Sequence, residues 1–330
     1  MTIEMLGDIL GSTIIFAIPL MLVALGGMFS ERSGVINIAL EGIMIIGALI
    51  GCLVLRTFNL SGFGPAHPII AMLITIGISA LAGAVFSLLL AFAAINLKAD
   101  QTIGGTALNM LAPAFAVVLS WAIQGQGNTV INIPTWIRMT ESTFGLAEGT
   151  GFWHNLVFKS LYLTTPIALV ILLISIIILY KTKFGLRLRA CGEHPQAAAS
   201  VGINVYKMRY AGVIISGILG GIGGMAYTIA AGAGFQSSVA GYGFLALAVM
   251  IFGNWKPVSI FFASMFFAFF KILGNYSGSL SFLPQFENIK DSNYIYLMIP
   301  YIVTLIVLIL TSKKSAAPKA EGIPYDKGQR

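Results

Sequence analysis

Residues 187–204 read RLRACGEHPQAAASVGIN, a polar and basic stretch set between VILLISIIILY (170–180) and YAGVIISGILGGIGG (210–224). Two greasy runs flanking so polar a segment are what a bilayer produces: the runs cross it and the stretch joins them outside the hydrocarbon. Within the stretch, Pro195 suits the first helical position, Ala197, Ala198 and Ala199 are strong helix formers, and Gly202 suits the C-terminal cap. The result is a helix of about two turns, too short to persist in water by itself. It must be held, either by a neighbouring loop of the same chain or by a partner with a matching groove.

Composition agrees with the bilayer. The 330 residues are 57% hydrophobic and only 9% charged, outside the range of soluble domains. Apolar segments fall at 9–28, 35–55, 68–97, 103–122, 156–180, 210–231, 243–252, 258–273 and 293–311, which predicts an all-α polytopic membrane protein of nine to ten helices. Residues 1–311 form one transmembrane unit, and 312–330 read as a disordered polar tail. The run 68–97 exceeds the roughly 20 residues that a span needs, so it is tilted or is a broken pair. The run 243–252 is too short to cross alone. The N-terminus, MTIEMLGDIL, lacks a basic start and a cleavage site, so the first apolar segment is expected to stay as a span.

Charge sets the orientation. Placing the loop 181–209 and the tail inside puts 14 of the 19 Lys and Arg residues there, while Arg56, Arg138, Lys159 and Lys290 face Glu4, Asp8, Glu141, Glu148, Glu287 and Asp291 outside. The N-terminus is therefore expected outside and the C-terminus in the cytoplasm. The formal charge of +7 is a loop effect and does not point to nucleic acid. The loop 123–155, with Trp136 and Trp153, is expected outside.

Three sequence blocks carry a resemblance. GLRLRACGEHPQAAASVGI followed by SGILGGIGG resembles the cytoplasmic coupling loop of ABC-importer permeases of the branched-chain amino acid, ribose and nucleoside group. SERSGVINIALEGIMIIGALIG (30–51) and ADQTIGGTALNMLA (99–112) resemble further blocks of the simple-sugar and nucleoside permeases in that group. The resemblance implies a permease subunit that pairs with a second, homologous permease, receives solute from an extracellular binding lipoprotein and docks on ABC ATPase subunits. It implies that Pro195, Ala197, Ala198, Ala199 and Gly202 form the docking helix, with Arg187, Arg189 and Glu193 at its rim. The solute it implies is a nucleoside, with a simple sugar as the alternative.

The residues themselves fit that division of labour. The chain has no GxxxxGK[ST], HExxH or GxSxG, its histidines His67, His154 and His194 stand singly, and no cofactor motif occurs. Cys52 and Cys191 form no spaced pair and read as packing residues. Few ionisable residues lie at depth, which argues against the remaining rival, an ion-coupled transporter. Asn37 and Glu41 share a helix face, as a gate or solute-contacting pair or as groups bonded to backbone at the Gly34 break. Asn109, with Gly105 and Thr102, offers a solute contact or an interhelical hydrogen bond. Phe235, Gln236, Tyr242 and Phe244 border the Gly-rich GAGFQSSVAGYGF, where they would stack on a base or serve as interfacial aromatics. Lys271 reads as a snorkelling span-end lysine. GGIGG (220–224) and SALAGA (79–84) are small-residue packing faces, and Ser79–Gly105 and Ser216–Gly241 suggest an inverted repeat.

Overall fold

Lipid is as apolar as leucine, so spans must be held together by close backbone approach and buried polar contacts. In the computed structural model, which describes residues 3–138, 154, 162–276, 293–311 and 317–328, helix α9 (Val205–Ala231) is where that happens. Its glycines each address a neighbour. A Cβ on Gly223 would meet Val23 of α1 (Ile3–Arg32), one on Gly224 would overlap the Met44 carbonyl of α2 (Leu40–Leu60), and one on Gly221 would overlap the Ser79 carbonyl of α4 (Pro68–Ala91). Gly83 of α4 lies equally close to the Gly217 carbonyl. The two small-residue runs are thus one crossing seen from its two sides.

The remaining elements are α3 (Phe63–Ala66), α5 (Gln101–Gln124), α6 (Thr164–Lys181), α7 (Lys183–Glu193), α8 (Pro195–Ser200), α10 (Tyr242–Phe252), α11 (Pro257–Tyr276) and α12 (Asn293–Thr311). Among the described residues two isolated bridges are the only β-structure, and seven helices are long and apolar enough to span a bilayer. The protein is an all-α, multi-pass membrane protein. The long run from Pro68 is not a broken pair: α4 continues through a π turn at Phe92–Asn96 as one rod. Ser79–Gly105 accordingly contains no re-entry, since α4 passes into α5 through a short link. The re-entry is confined to the second segment, where residues 232–241 lead back from the end of α9 to α10. With 11 residues, α10 is about 16 Å long, half the hydrocarbon thickness of about 30 Å.

The two ends of the bundle differ. At one end Trp136 donates to Asn59 (3.0 Å), and Ile131 and Phe235 exchange backbone hydrogen bonds (both 2.9 Å). At the other, Arg32 donates to the Trp255 carbonyl (3.2 Å) and lies 4.0 Å from Glu193. The tail belongs to that second end, where residues 317–328 make hydrogen bonds with the helical unit. Ala320 N–H donates to the Gly192 carbonyl (2.8 Å), Gly322 N–H to the Gly34 carbonyl (3.3 Å), the buried Arg209 donates to the Ile323 carbonyl (2.9 Å), and Lys98 pairs with Asp326 at 3.0 Å. A charged helix-end arginine and open carbonyls give a polar segment partners that composition cannot reveal. Trp153, Glu141, Glu148, Lys159, Glu287, Lys290 and Asp291 lie outside the described residues.

Candidate functional site

Irregular backbone between packed spans, shielded from water, has to find its hydrogen bonds in protein. Residues 33–39, between α1 and α2, are such a segment, turned by Gly34 at φ 94°. Their donors and acceptors are met by one face of α5, whose Gln101, Gly105 and Asn109 recur every four residues. Ile36 N–H donates to Gln101 Oε1 (2.7 Å), Asn109 Nδ2 donates to the Ile38 carbonyl (2.8 Å), and Gly42 N–H donates to Asn109 Oδ1 (2.8 Å). Gly105 leaves room for the Ile38 and Ala39 backbone. Both ends of the Asn109 amide are therefore engaged with backbone, as an interhelical bridge. Thr102 is exposed and turned away from this face; Gln101 takes the place expected for it.

The half-helix α10 begins beside the same break. The first N–H groups of a helix have no partner within it, and here Glu41 supplies one: Gly241 N–H donates to its Oε1 (2.9 Å) and Gly243 N–H to its Oε2 (2.6 Å). Glu41 is 8% exposed. Asn37 next to it is fully buried; its Nδ2 donates to Ser216 Oγ of α9 (2.8 Å), while its Oδ1 accepts no hydrogen bond. Of the aromatic group, Phe235 is buried by its bridge to Ile131 and Phe244 is half-exposed, with Gln236 exposed between bridge and half-helix. Tyr242 is buried and lines a cavity of about 180 Å³ together with Gly241, Leu245, Phe267, Lys271 and Tyr301. Lys271 does not snorkel: its Nζ lies 4.0 Å from the centre of the Tyr242 ring, where aromatic faces attract it inward. A larger cavity of about 580 Å³ between α2, α4 and α5 is lined wholly by apolar side chains such as Ile46, Leu81, Phe86 and Phe115, with no polar group to orient a polar solute.

The stretch 187–204 contains two helices. Thr182 Oγ1 accepts from Gly185 N–H (3.1 Å) to start α7, Pro195 opens α8, Gly202 at φ 83° follows its end, and Asn204 Oδ1 accepts from Lys207 N–H (3.0 Å) to start α9. Ala198 does not point outward as a docking face requires. It is 4% exposed and packs with Cys191, Val205 and Tyr325 of its own chain, because the tail covers that side. The outward side of α8 and the turn after it carries Gln196, Ala197, Ser200 and Val201, with Leu186 exposed on α7 and Ala199 half-buried between the two sides. Arg187 is exposed, whereas Arg189 lies over the Tyr180 ring and Glu193 faces Arg32. Burial pushes the Cys191 thiol up to about 11 against the opposing pull of Arg209. It also raises the Glu321 carboxyl of the tail from its ordinary 4.5, an effect that a hydrogen bond with Glu31 and the charge of Arg32 only partly offset.

Sequence reasoning missed Gln101, Lys271 and the tail. The four-residue recurrence of Gln101, Gly105 and Asn109 was a usable signal; nothing in the local sequence turns Lys271 inward or docks the tail.

A bundle with a half-helix, a buttressed break and a short helix pair on one end is the anatomy of a transport subunit. Residues 9–308 match the family model described as branched-chain amino acid transport system / permease component, and the chain belongs to that family. It is 44% identical, over 99% of both chains, to the guanosine ABC transporter permease protein NupQ of Bacillus subtilis. It is 39% identical to the nucleoside ABC transporter permease protein NupC of Lactococcus lactis, over 97% of both chains. It is 26% identical to the nucleoside ABC transporter permease protein NupB of the same organism, over 78% of this chain and 70% of that one. No solved structure matches the chain. The protein is a transport component rather than an enzyme.

Proposed function

We propose that this chain is a permease subunit of an ATP-driven importer that moves nucleosides inward. The observation that carries the reading is its end-to-end similarity to two permeases named for guanosine and for nucleosides. Similarity to NupB as well as NupC, two permeases of one organism, supports pairing with a second, homologous permease. The end that carries α7 and α8 also gathers Arg32, Lys98, Lys181, Lys183, Arg187, Lys256 and Lys319. By the positive-inside rule that end is cytoplasmic, with the N-terminus outside. There Gln196, Ala197, Ser200 and Val201 offer an ABC ATPase subunit a surface of uncharged side chains, rimmed by Arg187. The opposite end, with the 125–138 segment, receives solute from an extracellular binding protein. Asn37 and Tyr242 line the path, and Glu41, Gln101 and Asn109 hold its irregular backbone. Deleting the chain from its host should abolish uptake of labelled guanosine and uridine and leave glucose uptake intact. Loss of glucose uptake with unchanged nucleoside uptake would overturn the reading.

A further inference from the structure

Lys271 projects from the C-terminal third of α11 into the bundle, and no carboxylate among the described residues pairs with it; the two ion pairs found there are Arg32–Glu193 and Lys98–Asp326. Among the described residues its ammonium is held by ring faces, at 4.0 Å from the centroid of Tyr242, 5.2 Å from Phe16 and 5.8 Å from Tyr227. Ring faces attract the charge but are poor hydrogen-bond acceptors, so the three N–H donors of the ammonium keep most of their capacity. Tyr242 adds a second orphan: its side chain is 1% exposed and its Oη has no partner. Both residues line the cavity of about 180 Å³ at the start of the half-helix α10, where the chain re-enters the membrane. An ionisable residue turned into a cavity within a membrane-protein bundle is costly to keep, as is a buried hydroxyl with no acceptor.

We propose that Lys271 and Tyr242 form a subsite that reads the carbonyl edge of a nucleobase passing along the path. This deepens the nucleoside reading and rests on it. The cavity is smaller than the 300 Å³ or more typical of a site enclosing a whole drug-sized ligand, so it takes the planar base and leaves the sugar outside. The neighbouring rings accept a flat partner, and the orphan donors need acceptor oxygens. Guanine and uracil present exocyclic carbonyls; adenine presents none.

The test uses cells that carry the whole transporter and compares mutant-to-wild-type uptake ratios for labelled guanosine, uridine and adenosine. Because the binding protein is the same in every strain, its own selectivity cancels in these ratios. Lys271→Met should lower guanosine and uridine uptake at least tenfold and adenosine uptake less than threefold, and Lys271→Arg should restore all three to within threefold. Tyr242→Phe removes a hydroxyl that bonds nothing among the described residues, so it should lower guanosine and uridine uptake several-fold while the purified complex melts no lower than wild type. It decides the matter if the Lys271→Met complex does not assemble. An equal fall for all three nucleosides in Lys271→Met, or wild-type uptake of all three in Tyr242→Phe, overturns the subsite. A wild-type transporter that carries none of the three overturns the nucleoside reading itself, and this subsite with it.

Discussion

Replacing Glu41 by alanine removes the group that closes the N-terminus of α10. Its two carboxyl oxygens accept from Gly241 N–H at 2.9 Å and Gly243 N–H at 2.6 Å, and in Glu41→Ala both donors, the first part-buried and the second buried, lose that partner. Each such orphan costs about 1–3 kcal/mol, for a total of about 2–6 kcal/mol. Loss of an acidic group from a helix N-terminus adds about 0.3–1 kcal/mol. Against a typical stability of about 5–15 kcal/mol the change is large, and it is local to the half-helix. Hydrogen exchange on the detergent-solubilised complex should therefore show the Gly241 and Gly243 amides opening at least about thirtyfold more readily, the equivalent of about 2 kcal/mol. The α9 amides should be unaffected. Glu41→Gln should recover about half of the loss, since the amide keeps one acceptor and presents a donor to the other N–H. Unchanged exchange at Gly241 and Gly243 together with lost transport would refute the anchoring argument and make Glu41 a solute contact.

Gly221→Val should prevent recovery of folded protein, because its side chain would drive into the Ser79 carbonyl at the α4–α9 crossing. Gly104→Ala, whose Cβ meets only Leu90 Cδ1 at 3.8 Å, should be neutral or stabilising by up to about 1 kcal/mol, and size-exclusion profiles of tagged variants compare the two. Burial raises the Glu321 carboxyl above 4.5, so the docked tail binds a proton that a free tail would release. Docking should be firmest below pH 4.5 and weaken as pH climbs through the raised value; limited proteolysis of the tail across that range checks the direction, and Glu321→Gln should flatten the profile. Val201→Asp, on the exposed side of the turn after α8, should leave the permease folded but release the ATPase on co-purification. Ala198→Asp places a charge beneath Tyr325 and should cost the fold of the loop itself, several kcal/mol.

The membrane architecture was legible because the bilayer imposes lengths. Apolar runs of about 20 residues declare themselves, and a run as short as 243–252 has to be a fragment of a span, which is what α10 is. Small-residue runs were legible as packing faces for the same reason: with no solvent to drive helices together, GGIGG and SALAGA have few other uses. Partnership was not legible. That Gly221 meets Ser79, or that the tail lies across Gly34 and Gly192, depends on contacts more than 100 residues apart in sequence. Polar composition predicts disorder for 312–330; over 317–328, Arg209, Gly192 and Gly34 supply hydrogen bonds that composition alone does not count.

The candidate site divides along the same line. Asn37, Glu41 and Asn109 were found because polar atoms in a span need partners, yet sequence could not say whether those partners were solute or protein. The structure gives protein partners to Glu41 and Asn109 and leaves acceptor or donor capacity on Asn37 and Tyr242. SERSGVINIALEG and ADQTIGGTALNMLA then read as two halves of one device, a break and the helix face that satisfies it. The half-helix is tied into this device at both ends. Glu41 of α2 holds its N-terminus, and past its C-terminus Trp255 donates from its indole to Glu31 while its carbonyl accepts from Arg32 of α1. A segment of 11 residues cannot hold its place in a bilayer by length; α10 does so because each of its ends is bonded to a full-length span.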